Sequence, residues 1–145
     1  MKLPDIRQEG SHDCGLAACR TVAKLYRRRW TPELTARLGT SLIDGTDPRA
    51  IESTLRFCGF GVIAGEMTLD DLQYQTQLRR PVICLITREG VGHYVVVSGI
   101  DCGRIRLQCP AEGPIATSKT KFITSWRDVD RLGATYHQFA LAVWI

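Results

Sequence analysis

In the first third of the chain, apolar positions recur with helical spacing. Cys14, Ala17, Ala18, Val22 and Leu25 fall at i, i+3, i+4, i+8 and i+11, which predicts a helix from about Cys14 to Tyr26. Asp13 stands where its N-cap would be. Thr31-Pro32-Glu33 starts a second helix that runs to Leu38 and stops at Gly39. After a loop over 40–46, Asp47-Pro48 opens a third, with Ile51, Leu55 and Cys58 at i, i+4 and i+7 and Gly59 as its end. Phe60 to Ala64 reads as a short strand. Thr68-Leu69-Asp70-Asp71 caps a fourth helix that cannot pass Pro81, and Gln73, Gln75 and Gln77 dilute its apolar face.

After Pro81 the helical spacing gives way to strand patterns. Val82 to Ile86 is a continuous apolar strand, residues 88–92 read as a flexible loop, and His93 to Ile100 is apolar on both faces, which predicts a central strand. Residues 101–103 make a hairpin turn. Arg104 to Cys109 then alternates, so that Ile105, Leu107 and Cys109 point inward. Pro110 to Gly113 turns again. A strand near Ile115 to Thr117, a short helix near Phe122 to Trp126 and a last strand from Tyr136 to Trp144 complete the pattern. Helices first and strands afterwards is the order of an α+β fold with two lobes. With no repeat, low-complexity segment or dividing linker, residues 1–145 read as one domain, long enough to bury roughly 68–70% of its unfolded surface.

Composition narrows the function classes. The 44% apolar and 23% charged content is ordinary, and the net charge of +4 is mild. The only basic run, Arg27-Arg28-Arg29, sits at a helix end where cations complement the dipole, so it reads as a solvated terminus and no nucleic-acid partner is expected. Six cysteines, at 14, 19, 58, 84, 102 and 109, would suit three disulfides. Asp5, Arg7 and Glu9 follow so closely on Met1 that no secretory signal is read, and a reduced, cytoplasmic protein is expected. No Cys-x-x-Cys occurs and the Cys14/Cys19 and Cys102/Cys109 spacings are loose for zinc, so neither a metal nor a cofactor is expected. No apolar run approaches membrane-spanning length, so no direct membrane insertion is expected.

The candidate chemistry is a thiol in the first turn of a helix. Free N–H groups at a helix start favour an anion, and thiols placed there have pKa values lowered to roughly 3.5–7.5. Cys14, followed by Gly15, is therefore a candidate nucleophile, although free cysteine is also a common core filler. Of three histidines, His12 is tied to the same loop and His137 lies in the last strand without a local signal. His93 opens a central strand after a Gly-x-Gly loop, where a scaffold can present a base. If the hairpin turn is the three residues 101–103, Ile100 faces Arg104, Val95 faces Cys109, and Cys109 is the diagonal neighbour of His93, roughly 7–8 Å away by Cα. A carboxylate at 109 would orient the imidazole; a thiol is there instead. Asp101 lies on the order of 25 Å along the strand, and Glu112 faces the other way unless a bulge turns it. Gln8 and the Cys14 N–H are candidate oxyanion donors.

Gln8, Asp13-Cys14-Gly15-x-Ala17, Gly92-His93-Tyr94-Val95-Val96-Val97, Cys109-Pro110-Ala111-x-Gly113 and Lys121-Phe122 with Trp126 together resemble the bacteriocin-processing cysteine peptidases, from about Gln8 to the C-terminus. The resemblance implies a papain-like fold, an N-terminal helical lobe packed on a C-terminal antiparallel β lobe. It implies cleavage of a leader peptide after a Gly-Gly-type pair, by a peptidase that either precedes a membrane transporter, then its partner, or stands as a separate domain. By position, Cys14 is similar to the family's nucleophile, His93 to its base and Gln8 to its oxyanion donor. The family's Asp is replaced by Cys109. In a serine triad, losing that carboxylate costs about 10⁴ in rate. A cysteine system is expected to suffer less, because its thiolate–imidazolium pair forms before attack. The Cys14 and Cys109 sulfurs flank one ring and are expected to be too far apart for a disulfide. Two other readings stay open: a peptidase-like domain that binds a peptide or transport substrate without efficient cleavage, and an amidase or transpeptidase using the same dyad.

Overall fold

A computed structural model of the chain describes residues 1–130 and 132–145. In chain order the elements are α1 (Cys14–Leu25), α2 (Pro32–Leu38), α3 (Pro48–Phe57), β1 (Gly61–Glu66), α4 (Leu69–Gln77), β2 (Val82–Arg88), β3 (Val91–Asp101), β4 (Arg104–Cys109), β5 (Gly113–Ser118), α5 (Lys119–Ser125), β6 (Arg127–Val129), β7 (Thr135–His137) and β8 (Phe139–Trp144). The helix starts follow local chemistry. Thr31 accepts from the Leu34 N–H, Asp47 from the Arg49 N–H, and Thr68 and Asp71 form a reciprocal capping box. The ends of α1 and α4 are less usual. Arg27 and Arg79 adopt left-handed φ values of 57° and 59°, where glycine is the common residue. That conformation costs roughly 1–2 kcal/mol. A cation at a helix C-terminus offsets about 0.3–1 kcal/mol of it.

Strands β1-β8-β2-β3-β4-β5 form, in that order, one antiparallel sheet. Alternate residues feed two cores. Ile83, Leu85, Tyr94, Val96, Leu141 and Val143 pack with Val22 of α1 and Ile51 and Leu55 of α3. Val82, Cys84, Val95, Val97, Ile105 and Leu107 pack on the other side with Leu72 of α4, Phe122 of α5 and Trp126. Burial on both faces explains why the central strands read as unbroken apolar runs. The N-terminal helices α1 and α3 cover one face of the antiparallel sheet, while α4 and α5 close the other. Among the described residues no helix is long and apolar enough to cross a membrane. All six cysteines are free.

Three local expectations are corrected. Residues 88–92 are not a flexible loop. Only Glu89 and Gly90 turn, both with positive φ, and the strand resumes at Val91. The final strand is broken at Gln138 (φ 52°), so β7 leaves the main sheet to pair with β6, a strand too short to show a pattern. The β3–β4 turn has two residues rather than three: Asp101 faces Arg104 and Ile100 faces Ile105. A register shift between Val97 and Gly99 then takes up one residue, and beyond it Val97 faces Leu107 and Val96 faces Gln108. The short turn and the bulge cancel, so the Cys109 end of the hairpin returns to the register read from the sequence.

Candidate active site

Cys14 is the first residue of α1, and Gly15 behind it allows a close approach. A Cβ on Gly15 would lie 2.9 Å from the Thr46 side chain and 3.3 Å from the Tyr94 ring. The Tyr94 hydroxyl donates to the Thr46 carbonyl at 2.7 Å, tying the loop after α2 to β3. Asp13 does not cap α1. Its carboxylate accepts from the Gly10 N–H at 3.0 Å, and its side chain bonds no helix N–H. The backbone N–H groups of Tyr94, Gly15 and Cys14 instead favour the thiolate form of the Cys14 sulfur.

These donors do not win. Burial pushes the Cys14 thiol up, and the three N–H groups only partly offset it. Burial likewise pushes His93 down to about 4, with Arg88 adding to the fall and Glu112 opposing it. Both directions favour the uncharged forms at neutral pH, a thiol at Cys14 and a neutral imidazole at His93. This reverses the expectation of a lowered thiol and a preformed ion pair.

His93 enters from β3, opposite Ile86 of β2, and is 7% exposed. Its Nε2 lies 3.3 Å from the Cys109 sulfur. A thiol can donate to this nitrogen or weakly accept from it, so it does not impose one ring tautomer as an acceptor-only carboxylate would. The Cys14 sulfur meets the backbone N–H of Tyr94, the residue directly after His93. Among the described residues no hydrogen bond joins Cys14 to His93 directly.

The segment bearing Gln8 is strapped along the end of β4. The Gln8 N–H donates to the Pro110 carbonyl at 2.9 Å, Gln108 donates to Asp5 at 2.7 Å, and the Arg7 guanidinium lies over Gly113, the cross-strand partner of Cys109. Gln8 thus comes to the same corner as Cys109. Its amide nitrogen, however, donates to the Gly10 carbonyl at 2.9 Å, and its side-chain oxygen is buried without a partner. As oriented, this amide turns its oxygen, not a free N–H, to the interior.

A cleft of about 310 Å³ opens at Cys14, lined by Thr46, Gly92, Tyr94, Asp128 and Tyr136 among others. A second part of about 350 Å³ continues past Ser11, His12, Ile43, Val91 and Val129. Cys14 lines both. So does Gly92, where a Cβ would lie 2.5 Å from the Asp128 carboxylate. Leu42, Ile43, Val91, Val129 and Leu132 are exposed, the last four lining one or the other part. Both chain neighbours of His93 line the first part, but the ring does not. Among the described residues no cluster of three or more His, Cys, Asp or Glu side chains could hold a metal ion.

Sequence reasoning missed Tyr94, Thr46 and Asp128. Gly15 and Gly92 were the available signals, since each marks a place where another group needs the space of a Cβ. Glu112, expected to face away from His93 unless a bulge turns it, pairs with Arg88 at 3.3 Å, and both charges act on the imidazole.

The comparisons agree with this architecture. The family model described as "Peptidase C39 family" matches residues 2–130. A solved double glycine motif protease from an AMS/PCAT transporter, in complex with the leader peptide, is similar at a TM-score of 0.73 and 19% identity, over 98% of this chain and 91% of that one. The peptidase domain of Streptococcus ComA, described as a bi-functional ABC transporter involved in a quorum sensing pathway, aligns at a TM-score of 0.74 and 24% identity, over 98% and 96%. A periplasmic domain of the Vibrio vulnificus EpsAB fusion protein aligns at 0.55 and 15%, over 97% and 48%. No curated protein matches the chain.

Proposed function

Because the chain belongs to the peptidase C39 family, a family of cysteine peptidases, we propose that it cleaves a leader peptide with Cys14 as nucleophile and His93 as base. The observation that carries this reading is the Cys14 sulfur at a helix start, against the backbone of the residue after His93 and open to a cleft. In the resting state the thiol keeps its proton. During attack the sulfur bonds the scissile carbonyl carbon while the ring nitrogen not facing Cys109 takes the proton. The carbonyl oxygen becomes an oxyanion beside the Cys14 N–H. Gln8 is the second donor once its amide rotates to turn an N–H inward, giving up its present bond to the Gly10 carbonyl. The protonated imidazole then gives its proton to the leaving amine. Water, deprotonated by the same ring, hydrolyses the thioester.

The proposed substrate is a peptide cut after a Gly-Gly-type pair. Support comes from the leader peptide bound to a similar double glycine motif protease. An ABC transporter as partner and a cytoplasmic location are proposed on the same likeness to transporter peptidase domains.

The rival reading, a domain that grips a peptide without efficient cleavage, is favoured by the neutral resting pair and by a His93 ring outside the cleft wall. Incubation with peptides carrying an internal Gly-Gly pair, read by mass spectrometry, separates the two. Cleavage after the pair, abolished in Cys14→Ala and His93→Ala, supports the peptidase. Binding of the same peptides without turnover refutes it. An acyl product transferred to an added amine instead of water would identify a transpeptidase.

A further inference from the structure

With a thiol at 109, something other than a carboxylate must hold the His93 ring. Arg88 is the last residue of β2, two beyond Ile86, which faces His93. Alternate residues share a sheet face, and so do residues directly opposite, so Arg88 and His93 leave the sheet on the same side. Glu112 lies in the turn between Cys109, which ends β4, and Gly113, which starts β5. The Arg88 guanidinium and the Glu112 carboxylate meet at 3.3 Å, side chains 33% and 51% exposed, while the groups they flank are almost closed to solvent, His93 at 7% and Cys109 at 1%.

We propose that the Arg88–Glu112 ion pair is the positioning device for His93: it clamps the 110–113 turn, and with it Cys109, across the end of β2, and so fixes the imidazole that the thiol alone holds weakly. The inference rests on the reading of Cys14 and His93 as the reacting pair. As a surface ion pair it would be worth little to stability. Its placement gives it a second effect, because its two charges act on one ring in opposite senses. The other groups around the ring are Cys109 from β4 and, through the Tyr94 N–H, Cys14 from α1. Arg7 from the N-terminal segment stands beside Cys109, and Asp128 from β6 lies over Gly92. None of these joins β2 to the turn.

The test is an NMR titration of the His93 ring in the full chain, alongside the pH profile of Cys14 alkylation by iodoacetamide. Arg88→Gln raises the ring midpoint and Glu112→Gln lowers it, each by about 0.2–0.7 pH unit, and the double variant falls between them. By charge alone Arg88→Gln would speed Cys14 alkylation and Glu112→Gln would slow it; with the clamp lost, both single variants slow it at neutral pH, while Arg88→Lys and Glu112→Asp restore the wild-type profile. Alkylation that speeds up in Arg88→Gln, as the charge effect alone would give, or that is unchanged in both single variants, overturns the proposal. The titration needs no turnover. Slowed alkylation in both single variants of a protein that cleaves nothing would leave the clamp standing and remove the peptidase reading alone.

Discussion

Replacing Cys109 by aspartate should accelerate Cys14. His93 Nε2 now faces a sulfur at 3.3 Å, and burial holds the ring down to about 4. A carboxylate there accepts a charge-assisted hydrogen bond from the imidazolium, worth about 1.5–3 kcal/mol. At 1.36 kcal/mol per pH unit, that lifts the ring from about 4 to roughly 5–6. In the proposed dyad the reactive species is the thiolate–imidazolium pair, whose population grows tenfold for each unit the ring gains on the thiol. Alkylation of Cys14 by iodoacetamide at pH 7 should therefore rise about 10–100-fold, with the acid limb of its profile moving up by the same one to two units. The new carboxylate would sit where Cys109 is 1% exposed, but Arg7 is close enough to act on it. Cys109→Asn is the control: it orients the ring without charge and should gain clearly less. A folded Cys109→Asp variant whose Cys14 reacts no faster would refute both the neutral resting pair and the importance of position 109.

Other consequences follow from single residues. Because His93 is depressed to about 4 in the folded chain against an ordinary 6.5, the unfolded chain binds its proton first. Unfolding free energy should fall by about 3 kcal/mol as pH drops from 6.5 to 4, and denaturant titrations of His93→Asn should lack that component. Gly15→Ala places a methyl 2.9 Å from Thr46 and should cost about 1–3 kcal/mol; an unchanged denaturation midpoint would contradict the packing described. If Gln8 rotates to donate, Gln8→Ala should lower kcat by about 10²–10³ with little change in KM, whereas a KM effect alone would assign it to binding.

Much of the fold could be read locally because its punctuation is local. Thr31, Asp47 and Thr68 cap the helices they precede, and Gly39 ends α2 as its position suggested. Asp13 misled, because a carboxylate before a helix has more than one N–H within reach, and here Gly10 takes it. The pairing of β6 with β7 left no pattern in three-residue strands. The juxtaposition of His93 with Cys109 was accessible from hairpin register, but only because a miscounted turn and an unseen bulge compensated. The ionisation of Cys14 was beyond a linear reading. A helix start argues for an anion, and only burial, which depends on Tyr94, Thr46 and the opposite sheet, reveals that desolvation outweighs it.

The irregularity between Val97 and Gly99 divides the β3–β4 hairpin into two zones with different tolerance to length change. An insertion near the Cys102–Gly103 tip can be absorbed by the loop, since the pairing beyond the bulge is set by the packed valines. A single residue added between Leu107 and Cys109 cannot be absorbed. It would swing the sulfur to the opposite side of the sheet and leave the imidazole facing a neighbour of different chemistry. Chains descended from this one should therefore vary in length at the hairpin tip and keep a constant count on the stretch that delivers residue 109.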